Sequence, residues 1–218
     1  MKNPWVIIGV IAIVLIGGSV WYSGNVADSN NEGVTITDHR KGSERAVVTL
    51  VEYSDFECPA CASFQPVLQD IMTEFGDSLV LEFKHYPLPM HKLAVSAARA
   101  AEAAGQQGAF FEYHDLLFSN QTTWTKNPNP IILFVQYAEE LGLDIEKFKR
   151  HYNSSEIAKH ITTSARTARE LGLTGTPTFF LNGTQMKIET YEDFRSQIAT
   201  AIGASTASTT ESTVKFGI

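Results

Sequence analysis

Cys58 and Cys61 are the only cysteines of this 218-residue chain, and two residues separate them in "YSDFECPACASF". A thiol pair at this spacing can form a disulfide and pass it on by exchange with another thiol. This exchange requires a first thiol of low pKa and a second thiol close enough to resolve the mixed disulfide. The spacing therefore predicts thiol–disulfide exchange, with the Cys58–Cys61 disulfide as the redox group and no separate cofactor.

Cys58 lies where a strand-like segment gives way to a helical one. Ala46 to Ser54, "AVVTLVEYS", is rich in β-branched residues, and apolar residues from Phe64 to Phe75 recur at helical spacing. The first N–H groups of a helix lack intrahelical partners, and the helix dipole favours negative charge there. The pattern therefore predicts a stabilised thiolate at Cys58, with Pro59 at the first helical position and Cys61 one turn further on.

A structural disulfide and half of a metal site are the alternative uses of the pair. A bridge that closes so short a loop constrains the unfolded chain little. A structural zinc site needs two more ligands, and no histidine pair lies at ligand spacing near the motif. The six histidines are His39, His85, His91, His114, His151 and His160. Ala62 excludes the CxxCH pattern of haem attachment. Redox chemistry is the preferred interpretation, and no metal ligand is assigned.

The segment from Trp5 to Tyr22 carries no charged residue over eighteen positions. A helix of that length nearly spans a bilayer core of about 30 Å. Lys2 precedes the segment and Asp28 follows it, which predicts a cytoplasmic amino terminus and an extracytoplasmic remainder. We expect residues 1–23 to be an uncleaved membrane anchor. A cleaved signal peptide, which leaves a secreted protein, is the alternative, and a soluble buried helix ranks third.

Polar segments flank the expected folded unit. Residues 24–33 are small and polar, as in a linker, and residues 203–218 are Ser/Thr-rich, as in a flexible tail. The folded unit is then expected at 34–202.

The formal net charge is -7, from 24 acidic and 17 basic residues, and no basic run stands out. Nucleic acid is therefore not an expected partner.

The folded unit alternates between strand and helix patterns. A second strand is predicted from Ser78 to Pro87, and several helical segments follow over about residues 88–172. "TPTFFLNG" then reads as a strand ending at an Asn-Gly turn, with "TQMKIE" as the other hairpin arm and a final helix after it. Pro177 opens that strand after Thr176, where a trans bond is the commoner case and a cis bond is accessible.

Together these features resemble the thioredoxin fold in its DsbA-like form, found in exported thiol–disulfide oxidoreductases. The resemblance covers about Ala46 to Ile202 and rests on "SDFECPAC", "GTPTFFLNG" and the helices between them. With the anchor and short linker, the chain is most similar to membrane-tethered, BdbD-like members of Gram-positive bacteria. The resemblance implies an α/β thioredoxin-like fold with an inserted helical subdomain, preceded by an N-terminal transmembrane helix.

The resemblance also implies roles for individual residues. Cys58 is expected to be the exposed nucleophile that forms the mixed disulfide, and Cys61 the buried thiol that resolves it. Thr176 and Pro177 are expected to form a cis-proline loop that faces the sulfurs and pairs with substrate backbone. In DsbA a histidine stands where this chain has Ala60, and alanine offers the thiolate neither charge nor hydrogen bond.

Two carboxylates, Asp55 and Glu57, lie close to Cys58 in sequence and are expected to modulate it, together with Pro59 and Ala60. A carboxylate that faces the sulfur raises the thiol pKa, and a buried one can carry the proton during resolution. A solvated side chain is the alternative for Glu57.

The expected function is the introduction of disulfide bonds into exported, cysteine-containing proteins, with a membrane redox partner that regenerates the disulfide. A reductase ranks second. An isomerase ranks third, because no additional dimerisation domain is visible in the sequence. A membrane-tethered binding or chaperone module with an incidental disulfide is the non-redox alternative.

Overall fold

The computed structural model describes the backbone of residues 4–213, and the side chains of that range except at 4–7, 9–11, 20–22, 25, 27, 28 and 205–213. The predicted charge at Lys2 and the tail residues 214–218 therefore lie outside the described residues. The helices are α1 (Pro4–Asn31), α2 (Pro59–Phe75), α3 (Ala94–Gly105), α4 (Phe110–Ser119), α5 (Gln121–Trp124), α6 (Pro130–Glu140), α7 (Ile145–Tyr152), α8 (Ser155–Glu170) and α9 (Tyr191–Thr213). The strands are β1 (His39–Gly42), β2 (Val48–Ser54), β3 (Leu79–His85), β4 (Thr178–Leu181) and β5 (Thr184–Gln185).

Within the described residues, the strands form one sheet in the order β1-β3-β2-β4-β5. Strands β2 and β3 are parallel, and α2 makes the crossover between them. Strands β1 and β4 run antiparallel to β3 and β2, respectively. Helices α3 to α8 stand between β3 and β4 in the chain, which confirms the predicted α/β unit with a helical insertion.

Apolar cores support both halves of the unit. Between the sheet, α2 and α9, the buried residues include Leu50, Leu68 and Phe194. Inside the helical insertion, the Tyr113 hydroxyl donates to the Phe134 carbonyl oxygen at 2.7 Å, within a fully buried aromatic group. Since the buried polar atom has a partner, the insertion keeps a large aromatic core without a desolvation penalty there.

The β4–β5 hairpin turns at Asn182 and Gly183, which have φ of 48° and 81°. Positive φ at both positions is what a two-residue hairpin turn needs, and the Asn-Gly pair tolerates it. The second arm, predicted over residues 184–189, is shorter than expected and ends at Gln185. Beyond it, the Met186 N–H still donates to the Phe179 carbonyl oxygen at 2.9 Å, and the Met186 and Ile188 side chains pack into the core under the sheet.

Strand β1 was not predicted, because its sequence, His-Arg-Lys-Gly, shows neither alternation nor β-branched residues. It forms by backbone pairing with β3, where His39 lies opposite Phe83. Gly42 has φ of 120°, and a Cβ there would meet the Leu79 carbonyl oxygen at 2.3 Å. The close approach of these two strands therefore depends on glycine at this position.

Both ends of the unit contain more helix than the sequence patterns indicate. Helix α1 continues to Asn31 through most of the predicted linker, and α9 continues to Thr213 into the predicted tail. Neither extension contains proline, and the Asn31 side-chain oxygen accepts hydrogen bonds from the Ser154 hydroxyl and the Ser155 N–H at the start of α8. In the described part of the chain, no helix has the length and apolar content that crossing a membrane requires. The anchor over residues 1–23 stays a prediction.

The N-cap of α7 offers a direct test of helix stability in the insertion. The Asp144 carboxylate accepts from the Lys147 N–H at 2.9 Å. We expect Asp144→Ala to lower the free energy of unfolding by about 1 kcal/mol, because a helix N-terminal donor loses its partner. Urea unfolding followed by circular dichroism measures the change. Asp70→Ala, at an exposed position inside α2, is the control and should not destabilise. Equal effects at both positions would contradict the capping role.

Candidate active site

Cys58 is the N-cap residue of α2, with φ of -72° and ψ of 119°, and Pro59 follows at the first helical position. The Cys58 N–H donates to the Asp55 carbonyl oxygen at 3.0 Å, which closes a turn between β2 and α2. This turn places Cys58 at the positive end of the helix dipole, as the sequence predicted. Both cysteines carry free thiols in this structure.

The two thiols differ in burial less than the resemblance implied. Cys58 is 6 % exposed and Cys61 is fully buried. The expectation of an exposed Cys58 is therefore corrected, although Cys58 remains the more accessible thiol. The Thr176–Pro177 segment lies against its sulfur, with Sγ 3.4 Å from the Thr176 carbonyl oxygen, to which the protonated thiol donates.

The Thr176–Pro177 peptide bond is cis, as the resemblance implied. This segment immediately precedes β4, which pairs with β2. Because β2 leads into the turn that carries Cys58, the sheet brings both loops to the same end. Pro59 and Ala60 are exposed beside them, so the structure brings together the predicted sulfurs, the residues between them and the proline loop.

The thiols have pKa values shifted in opposite directions. The hydrogen bond with the Cys61 side chain does most to lower the pKa of Cys58, to about 5, and burial opposes the shift. The Thr176 hydroxyl and the backbone at Ala60 and Cys61 lower it further. Burial chiefly raises the pKa of Cys61 well above its ordinary range. The site therefore holds a thiolate and a protonated thiol side by side at neutral pH.

A buried carboxylate that the sequence analysis did not single out lies behind Cys61. Glu52, in the middle of β2, is fully buried, and burial raises its pKa to about 7. Its charge is one of the factors that raise the Cys61 pKa. Neither carboxylate oxygen has a hydrogen-bond partner among the described residues. The signal in the sequence was a single acidic residue inside the apolar run "VVTLVEYS".

Asp55 and Glu57 both accept hydrogen bonds from backbone N–H groups, and their influence on Cys58 stays a prediction. Asp55 is buried and accepts hydrogen bonds from the Glu57 N–H, the Leu88 N–H and His91 at 2.7–2.8 Å. Glu57 is half-buried and accepts from the Leu93 N–H at 2.6 Å, so it is not simply solvated. Both carboxylates connect the cysteine turn to the segment that leads into α3.

Gln121, at the start of α5, holds the same turn from the other side. Its side-chain amide donates to the carbonyl oxygens of Phe56 and Cys58, at 2.8 and 2.9 Å. The residue is buried. The helical insertion thus fixes the backbone of the cysteine turn directly. No local sequence signal identified Gln121, because the two partners are more than sixty positions away.

A group able to hold a metal lies outside the cysteine pair, although the sequence assigned no ligand. His85, Glu102 and His160 offer ligand atoms that all lie within 4.8 Å of one another. These residues come from three distant parts of the chain, so no spacing rule could have found them.

A thioredoxin family model matches residues 34–200. The chain belongs to this thioredoxin family. The match covers nearly all of the predicted folded unit, 34–202, and includes the cysteine turn and the proline loop.

Solved structures resemble this thioredoxin-family chain over most of its length. A thioredoxin-like oxidoreductase from Silicibacter pomeroyi has a TM-score of 0.64 and 26% identity, over 78% of this chain and 92% of that one. BdbD from Bacillus subtilis, in its oxidised form, has a TM-score of 0.68 and 21% identity, over 79% and 95% of the two chains. These likenesses, with the family match, show the thioredoxin-like fold that the sequence predicted.

Curated relatives include a much longer protein. The chain is 42% identical over 147 residues to a Na(+)/H(+) antiporter NhaA 1 from Salinispora arenicola, covering 67% of this chain. It spans only 22% of the length of that relative. The similarity therefore concerns one part of the antiporter.

Gln121 gives a test of how the insertion supports the site. We expect Gln121→Met to lower the free energy of unfolding by about 1–3 kcal/mol, because the buried Phe56 carbonyl oxygen loses its donor. Iodoacetamide should also alkylate Cys58 faster, because the turn that buries it is less restrained. Urea unfolding and mass spectrometry measure the two effects.

The matched control is Gln69→Met, at an exposed position of α2. It should change neither quantity. If Gln121→Met also left both unchanged, Gln121 would not position the turn.

Proposed function

We propose that this chain introduces disulfide bonds into exported, cysteine-containing proteins by exchange at the Cys58–Cys61 pair. The observation that carries the proposal is the opposite shift of the two pKa values, with Cys58 at about 5 and Cys61 raised by burial. A thiolate that is stabilised in the reduced protein favours reduction of the disulfide, so the couple is more oxidising. Such a couple transfers its disulfide readily to a client.

The proposed reaction begins with the oxidised pair. A client thiolate attacks the Cys58 sulfur, a client–Cys58 bond forms, and the Cys58–Cys61 bond breaks. Cys61 leaves with the bonding electrons and takes a proton, because its high pKa disfavours a free thiolate. Glu52, with a pKa of about 7 set by burial, is the proposed proton donor.

A second client thiolate then attacks the client sulfur of the mixed disulfide. The client disulfide forms and Cys58 leaves as a thiolate, which its low pKa makes a good leaving group. Two electrons have moved from the client to the Cys58–Cys61 pair. A membrane redox partner is proposed to remove them and restore the disulfide.

The Thr176–Pro177 segment is the proposed binding site for the client backbone. It lies against the Cys58 sulfur, and an extended peptide can pair with exposed backbone groups of such a loop. Pro59 and Ala60 are exposed at the same end and complete the surface that a client meets.

An extracytoplasmic site of action is part of the proposal. It is supported by the uncharged segment from Trp5 to Tyr22, with a basic residue before it and acidic residues after it. We propose that this segment anchors the chain, with the amino terminus in the cytoplasm and the thioredoxin domain outside.

The reduction potential of the Cys58–Cys61 pair is the decisive measurement. Equilibration with glutathione should give a reduction potential well above that of thioredoxin. The reduction potential of thioredoxin is about -270 mV. Thiolate absorbance should titrate with a midpoint near the Cys58 pKa of about 5.

Cys58→Ser should abolish client oxidation, and Cys61→Ser should trap the mixed disulfide. A potential as low as that of thioredoxin would favour a reductase instead, and unchanged client handling without both cysteines would favour a binding module.

The rate at which Cys61 attacks a mixed disulfide at Cys58 is expected to depend on pH through Glu52. When glutathione disulfide oxidises the reduced protein, Cys61 must lose a proton before it attacks the Cys58–glutathione bond. The ionised Glu52 can accept that proton, so the rate of this step should rise as the pH rises through about 7. Glu52→Gln should remove this inflection and slow the step on the order of 100-fold. Quenching the reaction at successive times and measuring the mixed disulfide by mass spectrometry gives the rate of this step.

The control is the preceding step, in which the Cys58 thiolate attacks glutathione disulfide. Glu52→Gln should leave its rate unchanged. If the inflection near neutral pH persisted in the variant, another group would carry the proton.

A further inference from the structure

Three histidines surround one buried carboxylate at the junction between the sheet and the helical insertion. The Glu102 Oε1 atom lies 2.9 Å from Nε2 of His39, 2.7 Å from Nε2 of His85 and 3.5 Å from Nε2 of His160. The four side chains come from β1, β3, α3 and α8. All three imidazoles thus contact the same carboxylate, and the ligand atoms of His85, Glu102 and His160 lie within 4.8 Å of one another.

The hydrogen-bond pattern of this cluster is unlike that of an ordinary ion pair. Three imidazole nitrogens converge on Oε1, whereas Oε2 of the fully buried Glu102 has no partner among the described residues. A carboxylate that only pairs with histidines would accept hydrogen bonds on both of its oxygens. An unpartnered oxygen at this depth is costly, unless another group binds it.

We propose that His85, Glu102 and His160 form a Zn²⁺ site. Imidazole and carboxylate are ligands that Zn²⁺ accepts, and three protein ligands leave the fourth tetrahedral position to water. Tetrahedral bonds of about 2.0–2.1 Å place ligand atoms about 3.3 Å apart. The distance of 3.5 Å between His160 Nε2 and Glu102 Oε1 is close to this value, and the distance of 2.7 Å between His85 Nε2 and the same oxygen needs to open by about half an ångström.

The three ligands come from three separate elements. Zn²⁺ bound there would connect β3 to the helices α3 and α8. Since the ligands come together only in the folded chain, binding should stabilise the native state. The inference does not depend on the proposed redox function.

The test uses the full-length protein with Cys58 and Cys61 oxidised to the disulfide, so that thiolates cannot bind the metal. We expect Zn²⁺, added alone and followed by competition with a chromophoric chelator, to bind with about one ion per chain and to raise the melting temperature. X-ray absorption at the zinc edge should show nitrogen and oxygen neighbours and no sulfur. This measurement needs no variant.

Glu102→Gln and His160→Gln should each weaken Zn²⁺ binding by at least about 100-fold. Loss of a residue that only hydrogen-bonds to a metal ligand already weakens metal binding by about 10–100-fold. His160 is only half-buried, so its variant should keep the fold. His151→Gln, at a buried histidine outside the cluster, is the matched control and should bind Zn²⁺ like the wild type. Absence of binding by the oxidised wild-type protein, sulfur neighbours, or equal affinity in the His160 variant would overturn the proposal.

Discussion

The contact between the Cys58 and Cys61 side chains is the interaction on which the rest of the site depends. One helical turn holds the two sulfurs together, and burial then acts on them unequally. The more accessible sulfur, at the helix N-terminus, is stabilised as a thiolate, whereas the inner one is kept protonated. Two chemically identical groups thereby acquire different roles, because the helix end and the proline loop lie on one side of the pair and the core lies on the other.

Much of the surrounding structure keeps that turn in place. Asp55 and Glu57 accept backbone N–H groups from the segment before α3, and Gln121 donates to carbonyl oxygens of the turn itself. The buried aromatic core of the helical insertion fixes the position of α5, from which Gln121 projects. The insertion is therefore more than a covering for the sheet, since it provides the hydrogen bonds that shape the site. A thiol pair with such different pKa values requires this rigidity, because small movements would change the burial of both sulfurs.

Two buried carboxylates, Glu52 and Glu102, have pKa values shifted in opposite directions. Glu52 lies alone behind Cys61, and burial raises its pKa to about 7, where it can exchange a proton. Glu102 lies among three histidines, and although burial opposes it, the hydrogen bonds with His39 and His85 hold the Glu102 pKa below its ordinary value. The same burial thus favours the neutral acid in one place and permits the anion in the other, because hydrogen bonds outweigh burial at Glu102 and do not outweigh it at Glu52. The first arrangement suits proton transfer and the second suits binding of a cation.

The sequence by itself determined the cysteine pair, its place at a helix start, the strand–helix–strand unit, the helical insertion and the Asn-Gly hairpin, because each is encoded by neighbouring residues. Only the tertiary structure decided that Asp55 and Glu57 bind backbone groups, that the proline loop lies against Cys58, and that the polar β1 pairs with β3. It alone brought Glu52 behind Cys61, Gln121 to the cysteine turn and three histidines to Glu102. The physical reason is that pKa shifts, buried hydrogen bonds and ligand sets depend on distances between residues that are remote in the chain, and local patterns do not fix those distances.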